Sequence, residues 1–327
     1  MKIRVVLLGI TTLVAAGLFT QSGEAVGKAE EKAGHCPDLV TRSAPRLHPE
    51  GVAYAPTQNR FLVGSVTHGT VSVVKPDGSV RTLVEDPALI TTMGLAVDAR
   101  RGWLLVVNGD VGISDHSTPE TTRKTAGLGI YDLRSGHRIA YHDLGALDPD
   151  HEHFGNDVAI ARDGTAFVTD SFSGAVYRVP LDGAPSILLR DDQLMPAGSG
   201  NGANGIILHP EGFLLIAHSS GRALFKLDGD RLTKVTVDQP IGAPDGLLLD
   251  RSGVMHAVDN TADNRVVTLD STDDWTTARL TSSQPWPDPA PTTMTHTDCG
   301  TYVLSGRLDQ LPTGSDQFLL RRLETTS

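Results

Sequence analysis

The stretch GNDVAIARDGTAFVTDSFSGAVYRV, residues 155–179, decides the fold. A bare Asn156 is followed by an apolar run, a turn at RDG, a second alternating run and, after a short polar loop, a third run. Alternation with a period of two, interrupted by turn residues, is typical of short antiparallel strands. The stretch therefore predicts consecutive strands of one small sheet, and it leaves unexplained why a polar residue precedes the first.

The same pattern recurs along the chain. Comparable units begin at Glu50, Met93, Asn204 and Asp245, and a degenerate unit, TTMTHTDCGTYVLSG, begins at Thr292. With the opening stretch they make six units, spaced by roughly 41 to 63 residues. Six units of three or four short strands predict an all-β fold, a six-bladed β-propeller. A β-sandwich or a β-helix is the alternative, but a β-helix repeat would be shorter and more uniform.

The N-terminal residues MKIRVVLLGITTLVAAGLF combine two basic residues with an apolar run that ends in small and polar residues. This is the pattern of a secretory signal peptide, and the run is short for a membrane span. We predict cleavage near Ala25; a retained anchor is the alternative. The predicted organisation is a signal peptide at 1–25, a mobile segment at 26–35 and a single propeller domain at 36–327 of a secreted protein.

The net charge of the chain limits the classes of partner that it is expected to bind. The formal net charge is −11, and it becomes about −12 without residues 1–25. An acidic surface argues against nucleic acid and anionic membranes and is compatible with a bound cation. We expect a monomer that acts on a small-molecule substrate, with no nucleic-acid partner and no membrane association after signal cleavage.

Propeller geometry converts sequence position into spatial position. Residues directly before the innermost strand of each unit ring the mouth of the central channel: Glu50, Met93, Asn156, Asn204, Asp245 and Thr292 or Thr293. A wider ring on the same face comes from the ends of the second strands: Ser65, Asn108, Asp170, His218, Asp259 and Ser305. The long irregular connections, notably the insert at 108–127, also lie on this face, where function usually resides.

Four members of the inner ring are oxygen donors, namely Glu50, Asn156, Asn204 and Asp245. Two carboxylates and two amides suit Ca²⁺, with Mg²⁺, Mn²⁺ and Zn²⁺ as alternatives. The carboxylates would neutralise a divalent ion, whereas without it they would repel each other. The alternative is that these residues cap strands and satisfy turn backbones.

The segments HPEGVAY, FGNDVAI, GANGIIL and APDGLLLD, in this order, resemble the senescence marker protein, gluconolactonase and luciferin-regenerating enzyme family of six-bladed propellers. The resemblance covers nearly the whole mature chain. It implies a catalytic divalent ion, usually Ca²⁺, held by Glu50, Asn204 and Asp245, with Asn156 as a ligand or a substrate contact. The implied activity is metal-dependent hydrolysis of a lactone or related ester.

A cation with open coordination positions can polarise a carbonyl group for attack by water. The resemblance implies Asp245 as the base that accepts a proton from water. Asp170 and His218, on the wider ring, are alternative candidates for this base. For His218, a purely structural role through hydrogen bonds at the end of its strand is an equally good interpretation. The residues that could contact substrate are Met93, Asn108, Asn156, Asp259 and Thr293.

Two other functions stay open. A non-catalytic propeller could use the long loops to bind a ligand or a protein, with the ion in a structural role. A carbon–nitrogen ring-closing enzyme similar to strictosidine synthase is less favoured, because that branch generally lacks the metal ligands retained here. Among hydrolase substrates, sugar lactones, acyl lactones and organophosphates all remain compatible with a metal-lined cup.

Cys36 and Cys299 are the two cysteines of the chain. In an exported protein such a pair favours a disulfide, and two free thiols are the alternative. If the N-terminal strand is the outermost strand of the last blade, both cysteines lie on the face opposite the channel mouth. A Cys36–Cys299 disulfide would then close the ring covalently.

Overall fold

The computed structural model describes residues 36–75, 78–250, 252–260, 263–311 and 313–324. The predicted signal peptide at 1–25 and the segment at 26–35 lie outside the described residues. Pro37–Ser327 forms one compact unit. Among the described residues, no helix is long and apolar enough to cross a membrane.

Regular structure in the described residues is almost entirely β. The strands are β1 (Leu39–Ser43), β2 (Val52–Ala55), β3 (Arg60–Val63), β4 (Thr70–Val74), β5 (Val80–Glu85), β6 (Thr91–Asp98), β7 (Trp103–Gly109), β8 (Lys124–Asp132), β9 (Arg138–Asp143), β10 (His153–Ile160), β11 (Ala166–Asp170), β12 (Ala175–Val179), β13 (Ser186–Arg190), β14 (Ala203–Leu208), β15 (Leu214–His218), β16 (Ala223–Asp228), β17 (Arg231–Lys234), β18 (Thr236–Val237), β19 (Pro244–Leu249), β20 (Met255–Asp259), β21 (Arg265–Asp270), β22 (Thr277–Pro285), β23 (Pro291–Thr297), β24 (Gly300–Ser305) and β25 (Gln317–Arg322). Single turns of 3-10 helix occur at Pro56–Gln58, Gly145–Leu147, Asp192–Leu194 and Leu308–Gln310.

Antiparallel pairing of consecutive strands builds the sheets. Three of them contain β2–β5, β14–β17 and β19–β22, the last with β18 added in parallel to β22. A fourth contains β23–β25, with β1 paired antiparallel to β25. The eight strands β6–β13 form the fifth, in which a short parallel pairing joins β8 to β10.

The first strands of these antiparallel runs surround one cavity of about 390 Å³. They are β2, β6, β10, β14, β19 and β23; each contacts the next, and β23 contacts β2. Alternating apolar side chains fill the spaces between neighbouring sheets; Leu62 and Val73, for example, pack with Leu104 and Val106, and all four are fully buried. The predicted fold class, an all-β propeller, is confirmed.

Each of the inner strands β10, β14 and β19 carries a register irregularity near its start. In β10 the regular pairing breaks between Gly155 and Val158, so that Asn156 lies inside the irregularity. Asn204 and Asp245 occupy the corresponding places in β14 and β19. A β-bulge bends the strand and re-aims side chains. The polar residue in front of each apolar run is therefore part of the strand, at the point where pairing is interrupted.

Glycine follows Asn204 and Asp245 because adjacent inner strands approach closely there. A Cβ atom added to Gly205 would lie 2.2 Å from the carbonyl oxygen of Asp245, and one added to Gly246 would lie 2.2 Å from the Oγ1 atom of Thr293. Real Cβ contacts are never this short, so a larger residue at Gly205 would displace Asp245.

Both cysteines are disulfide-bonded, and neither is a free thiol. Since the chain has two cysteines, the predicted pairing of Cys36 with Cys299 is confirmed. Cys299 lies in the turn between β23 and β24.

Candidate metal centre and active site

The structure brings the four predicted ligands to the same cavity. Glu50, Asn156, Asn204 and Asp245 all line the channel formed by the inner strands. Each side chain is largely buried, with exposed fractions of 8%, 2%, 4% and 5% respectively. Four polar side chains, each near or just before the start of a different inner strand, therefore converge at one end of the channel, as the repeat predicts.

The two asparagines are held by a repeated hydrogen-bond pattern. Asn156 donates from Nδ2 to the Oγ atom of Ser171 at 3.0 Å, and Asn204 donates from Nδ2 to the Oγ atom of Ser219 at 2.7 Å. Each serine in turn donates to a backbone carbonyl at the start of the next inner strand, at 2.7 Å. Among the described residues, neither asparagine Oδ1 atom accepts a hydrogen bond, so both are available to a cation.

Asp245 has a partner at the same spacing. Asn260 donates from Nδ2 to the Oδ2 atom of Asp245, and the two residues are 15 positions apart, like Asn156 and Ser171. Such partners fix the orientation of metal ligands, and their removal usually weakens metal binding tenfold to a hundredfold. These partners are not among the residues predicted from the sequence, although their constant spacing of fifteen residues is the signal that could identify them.

The carboxylates of the site are buried near one another, which makes their charged forms unfavourable. Burial raises the pKa of Glu50 well above its usual range, and the nearby Asp245 and Asp157 raise it further. Burial raises the pKa of Asp245 to about 7, with a hydrogen bond from Asn204 opposing the shift and Asp157 adding to it. Carboxylates that are buried together without compensating charge favour either a proton or a cation.

Asp157 is a third carboxylate of the channel and is not among the residues predicted from the sequence. It lines the channel next to Asn156 and stands where β14 and β19 have glycine. Burial raises its pKa to about 6, although hydrogen bonds from the backbone N–H groups of Val158 and Ile206 oppose the shift. The bond to Ile206, of 3.1 Å, links β10 to β14, so Asp157 connects neighbouring inner strands as well as adding negative charge.

These residues fit a hard divalent cation. Glu50 is buried, and among the described residues its carboxylate accepts no hydrogen bond. Together with Asp245 and the two free amide oxygens, it presents an oxygen-only donor set. No cluster of three or more His, Cys, Asp or Glu side chains suited to a metal occurs among the described residues. The four predicted ligands do not form such a cluster, because only two of them, Glu50 and Asp245, are residues of these types.

Asp170, a predicted reserve base, is fully buried away from the channel lining. Its carboxylate accepts hydrogen bonds from the Nδ1 atom of His153 at 2.6 Å, the hydroxyl of Tyr177 at 3.1 Å and the backbone N–H of Phe154 at 2.9 Å. The Nε2 atom of His153 is within 2.8 Å of the carbonyl oxygen of Asp148. The carboxylate therefore organises the start of β10 and does not face the four ligands.

The other members of the wider ring are also engaged in local hydrogen bonds. His218 accepts from the backbone N–H of Gly221 through Nδ1 and donates from Nε2 to the carbonyl of Met195, both at 2.8 Å. Asn108 accepts from the backbone N–H of Ile90 at 2.8 Å, and Asp259 pairs with Arg265 at 2.7 Å. The structure does not bring these three predicted residues to the channel lining.

A second cavity, of about 210 Å³, opens at the mouth of the channel, and we call it the cup. The cup shares Glu50, Asn156 and Asp245 with the channel, and the predicted substrate contact Met93 lines its wall. Thr293, the other predicted inner-ring contact, lines the channel instead. A molecule in the cup would thus touch three of the four candidate ligands.

Asn156→Ala tests the asparagine pattern. We expect calcium affinity to fall tenfold or more, because an oxygen donor is lost, while the metal-free protein keeps a melting temperature within a few degrees. Ser171→Ala should weaken binding in the same direction by releasing the Asn156 amide. Calorimetric titration with Ca²⁺ measures both, and Ser186→Ala, at an exposed position of β13, is the matched control. Intact affinity with a much lower melting temperature would instead make Asn156 a strand cap.

The fold and the site together define a β-propeller with an oxygen-rich, buried channel mouth. We found no match to the chain among protein-family models or among curated protein sequences. Comparison with solved structures, in contrast, gives strong similarities over most of the chain.

The major allergen Mala s 1 of Malassezia sympodialis aligns with a TM-score of 0.72 at 17% identity, over 88% of this chain and 96% of the allergen. A gluconolactonase from Xanthomonas campestris gives 0.60 at 20% identity, over 88% and 89% of the two chains. A luciferin-regenerating enzyme gives 0.59 at 12% identity, over 87% and 97%. The family that the sequence resembles is therefore represented among structures with this fold.

Proposed function

We propose that this protein is a metal-dependent hydrolase that opens a lactone or a related ester. The observation that carries the proposal is the convergence of four oxygen donors in the channel, two of them buried carboxylates, with three of the four also lining the cup. The shared fold with a gluconolactonase supports the same reaction class.

Glu50, Asn156, Asn204 and Asp245 would hold the ion. Ca²⁺ is the proposed metal because the donors are all oxygen, with Mg²⁺, Mn²⁺ and Zn²⁺ as alternatives. When bound, such an ion supplies Lewis-acid polarisation of a carbonyl oxygen. Ser171 and Ser219 accept hydrogen bonds from the asparagine amide nitrogens, which leaves the two amide oxygens for the ion.

A residue of the chain would transfer the proton from the attacking water to the leaving oxygen. In hydrolysis, the oxygen of water bonds to the carbonyl carbon, the ring C–O bond breaks, and a proton moves from water to the departing alkoxide oxygen. We propose Asp245 as the group that accepts and returns this proton, since it lines the cup while Asn260 holds one of its carboxylate oxygens. Asp170 and His218 would act as positioning residues, because their polar atoms are engaged elsewhere.

We further propose that the propeller has six blades and is closed by β1. Six inner strands surround the channel, and the eight-stranded sheet divides into the antiparallel runs β6–β9 and β10–β13. Pairing of β1 with β25 extends from Leu39 opposite Arg321 to Ser43 opposite Gln317. Export of a monomer is part of the proposal, and the disulfide supports export because such bonds persist in oxidising compartments.

Metal removal and restoration tests the proposal. After treatment with EDTA, we expect hydrolysis of a lactone panel to fall to background and to return with Ca²⁺. Saturating Ca²⁺ at about 100 times its Kd should stabilise the fold by about 2.7 kcal/mol, seen as a rise in Tm. A rise in Tm without turnover of any lactone, ester or phosphotriester would favour the non-catalytic scaffold. No effect of EDTA on either quantity would refute the metal site.

A further inference from the structure

The wall of the cup is largely apolar, whereas its floor is polar. Glu50, Asn156 and Asp245 form the floor. Around them the lining is built largely from aliphatic, thioether and aromatic side chains, among them Val66, Met93, Val111, Ile113, Phe154 and Leu311, and its other polar side chains are Thr91, Asn201 and Asn260. The cup therefore combines a site for a polar reacting group with a surface for a hydrocarbon.

The insert between β7 and β8 contributes Val111 and Ile113 to this wall. Asp110 holds the insert internally, accepting from the hydroxyls of Ser117 at 2.6 Å and Thr121 at 2.7 Å. The backbone N–H of Asp115 donates to the carbonyl of Thr67 at 2.8 Å, which ties the insert across the loop after β3. Polar contacts fix the insert; of its two apolar wall residues, Val111 packs against a buried cluster and Ile113 is exposed.

Ile113 is the clearest sign of a ligand surface. Its exposed fraction is 43%, and it lines the same cup as residues of a buried apolar cluster. Val66, Met93 and Phe154 belong to that cluster, and Val111 packs against it. An exposed apolar residue that continues an apolar wall around a polar floor is typical of a small-molecule site.

The wall offers little to a sugar. Among the described residues that line the cup, none is Lys, Arg or His, so a phosphate or carboxylate substituent has no cationic partner. Of the polar side chains around the floor, Thr91 donates to the carbonyl of Val66 and Asn260 donates to Asp245. Apart from Asn201, the hydroxyl groups of a sugar lactone would therefore meet apolar residues such as Val66, Ile113 and Leu311, and would lose their hydrogen bonds to water. Leaving polar groups buried without partners costs about 1–3 kcal/mol each.

We propose that the cup selects lactones or esters that carry an unbranched alkyl or acyl chain over sugar lactones. This inference rests on the proposed function, which it refines. The carbonyl group would lie at the floor and the chain against Met93, Ile113 and Phe154.

The test compares γ-butyrolactone, its ethyl, butyl and hexyl derivatives, and glucono-δ-lactone on the calcium-loaded protein. Each methylene that leaves water should raise kcat/KM about fourfold until the cup is full. Calorimetric binding of the corresponding γ-lactams, which resist hydrolysis, should show the same dependence on chain length. Binding is thus measured separately from turnover.

Ile113→Ser should flatten the dependence on chain length for both turnover and lactam binding, and Ile113→Leu should restore most of it. Ile139→Ser is the matched control, because Ile139 is 49% exposed on β9 and does not line the cup. Since Ile113 is exposed on a loop, its substitution should leave Tm nearly unchanged.

The outcomes separate this inference from the proposed function. Faster hydrolysis of glucono-δ-lactone, or no dependence on chain length, overturns the inference and leaves hydrolysis standing. Chain-dependent lactam binding that Ile113→Ser weakens, without turnover of any lactone, supports the cup's ligand class and overturns the hydrolase. Neither turnover nor chain-dependent binding overturns both.

Discussion

Replacing Asp245 with Asn is expected to lower kcat/KM for lactone hydrolysis at least a hundredfold and to remove most of the rise in Tm caused by Ca²⁺. The substitution keeps the shape of the side chain but removes one of two ligand charges and the proposed proton acceptor. Glu50→Gln should have the same effect on metal binding. Steady-state kinetics and thermal melting with and without Ca²⁺ measure both effects.

The same substitutions should not harm the metal-free protein. Burial and the nearby carboxylate of Asp157 hold the pKa of Asp245 at about 7 in the folded state, above its ordinary value of 3.8. The folded state then binds more protons than the unfolded state between these values, so stability falls as pH rises from about 4 to 7. Asp245→Asn should remove part of this loss and raise Tm in EDTA at neutral pH.

Asp228→Asn, at the exposed end of β16, is the control for a general effect of removing a negative charge. It should change neither the calcium response nor the pH dependence of melting. If Asp245→Asn instead lowers Tm in EDTA while calcium affinity is unchanged, Asp245 is a strand cap and the metal site is wrong.

The inner ring could be predicted from the sequence because it depends on the repeat. Once the units are aligned, Asn156, Asn204 and Asp245 fall at one position of each inner strand, and strand geometry brings such positions to one end of the channel. The fold class and the disulfide follow from equally local signals, namely strand periodicity and a single pair of cysteines. The strand bulges at these positions are not visible in the sequence.

The cup could not be predicted in the same way. Its wall combines Val66, Ile113 and Leu311, which come from three loops of different length and sequence. Loop paths depend on single anchoring contacts, such as the hydrogen bond from Asp115 to Thr67. Without those contacts, the residues that choose between a sugar and an alkyl chain cannot be identified.

The residues of the wider ring show a different limit to what can be predicted from the sequence. Alignment places Asp170 and His218 on the correct face, but it does not reveal that backbone groups and buried partners already occupy their polar atoms. A polar residue at a strand end can face a ligand or hold a loop, and its sequence position is the same in both cases. Only the hydrogen-bond partners separate the two.

Asp170→Asn is therefore expected to reduce stability and to affect catalysis little. The substitution breaks a fully buried pair with His153, and loss of one partner of such a pair typically costs about 3–5 kcal/mol. Chemical denaturation should show this loss as a lower unfolding midpoint. In the folded fraction, below the melting transition, kcat/KM should stay within a few-fold of the parent, and Asp228→Asn again serves as the control.

The pH dependence of the free energy of unfolding should show the contribution of the pair formed by His153 and Asp170. Burial alone would lower the pKa of His153, but its hydrogen bond to Asp170 and the negative charge outweigh burial and raise it. Burial would likewise raise the pKa of Asp170, yet hydrogen bonds from His153 and backbone N–H groups lower it. The pair's contribution is thus lost as pH falls through the lowered pKa of Asp170 and as pH rises above the raised pKa of His153. Asp170→Asn should remove both dependences, whereas unchanged stability with abolished kcat would make Asp170 a catalytic residue.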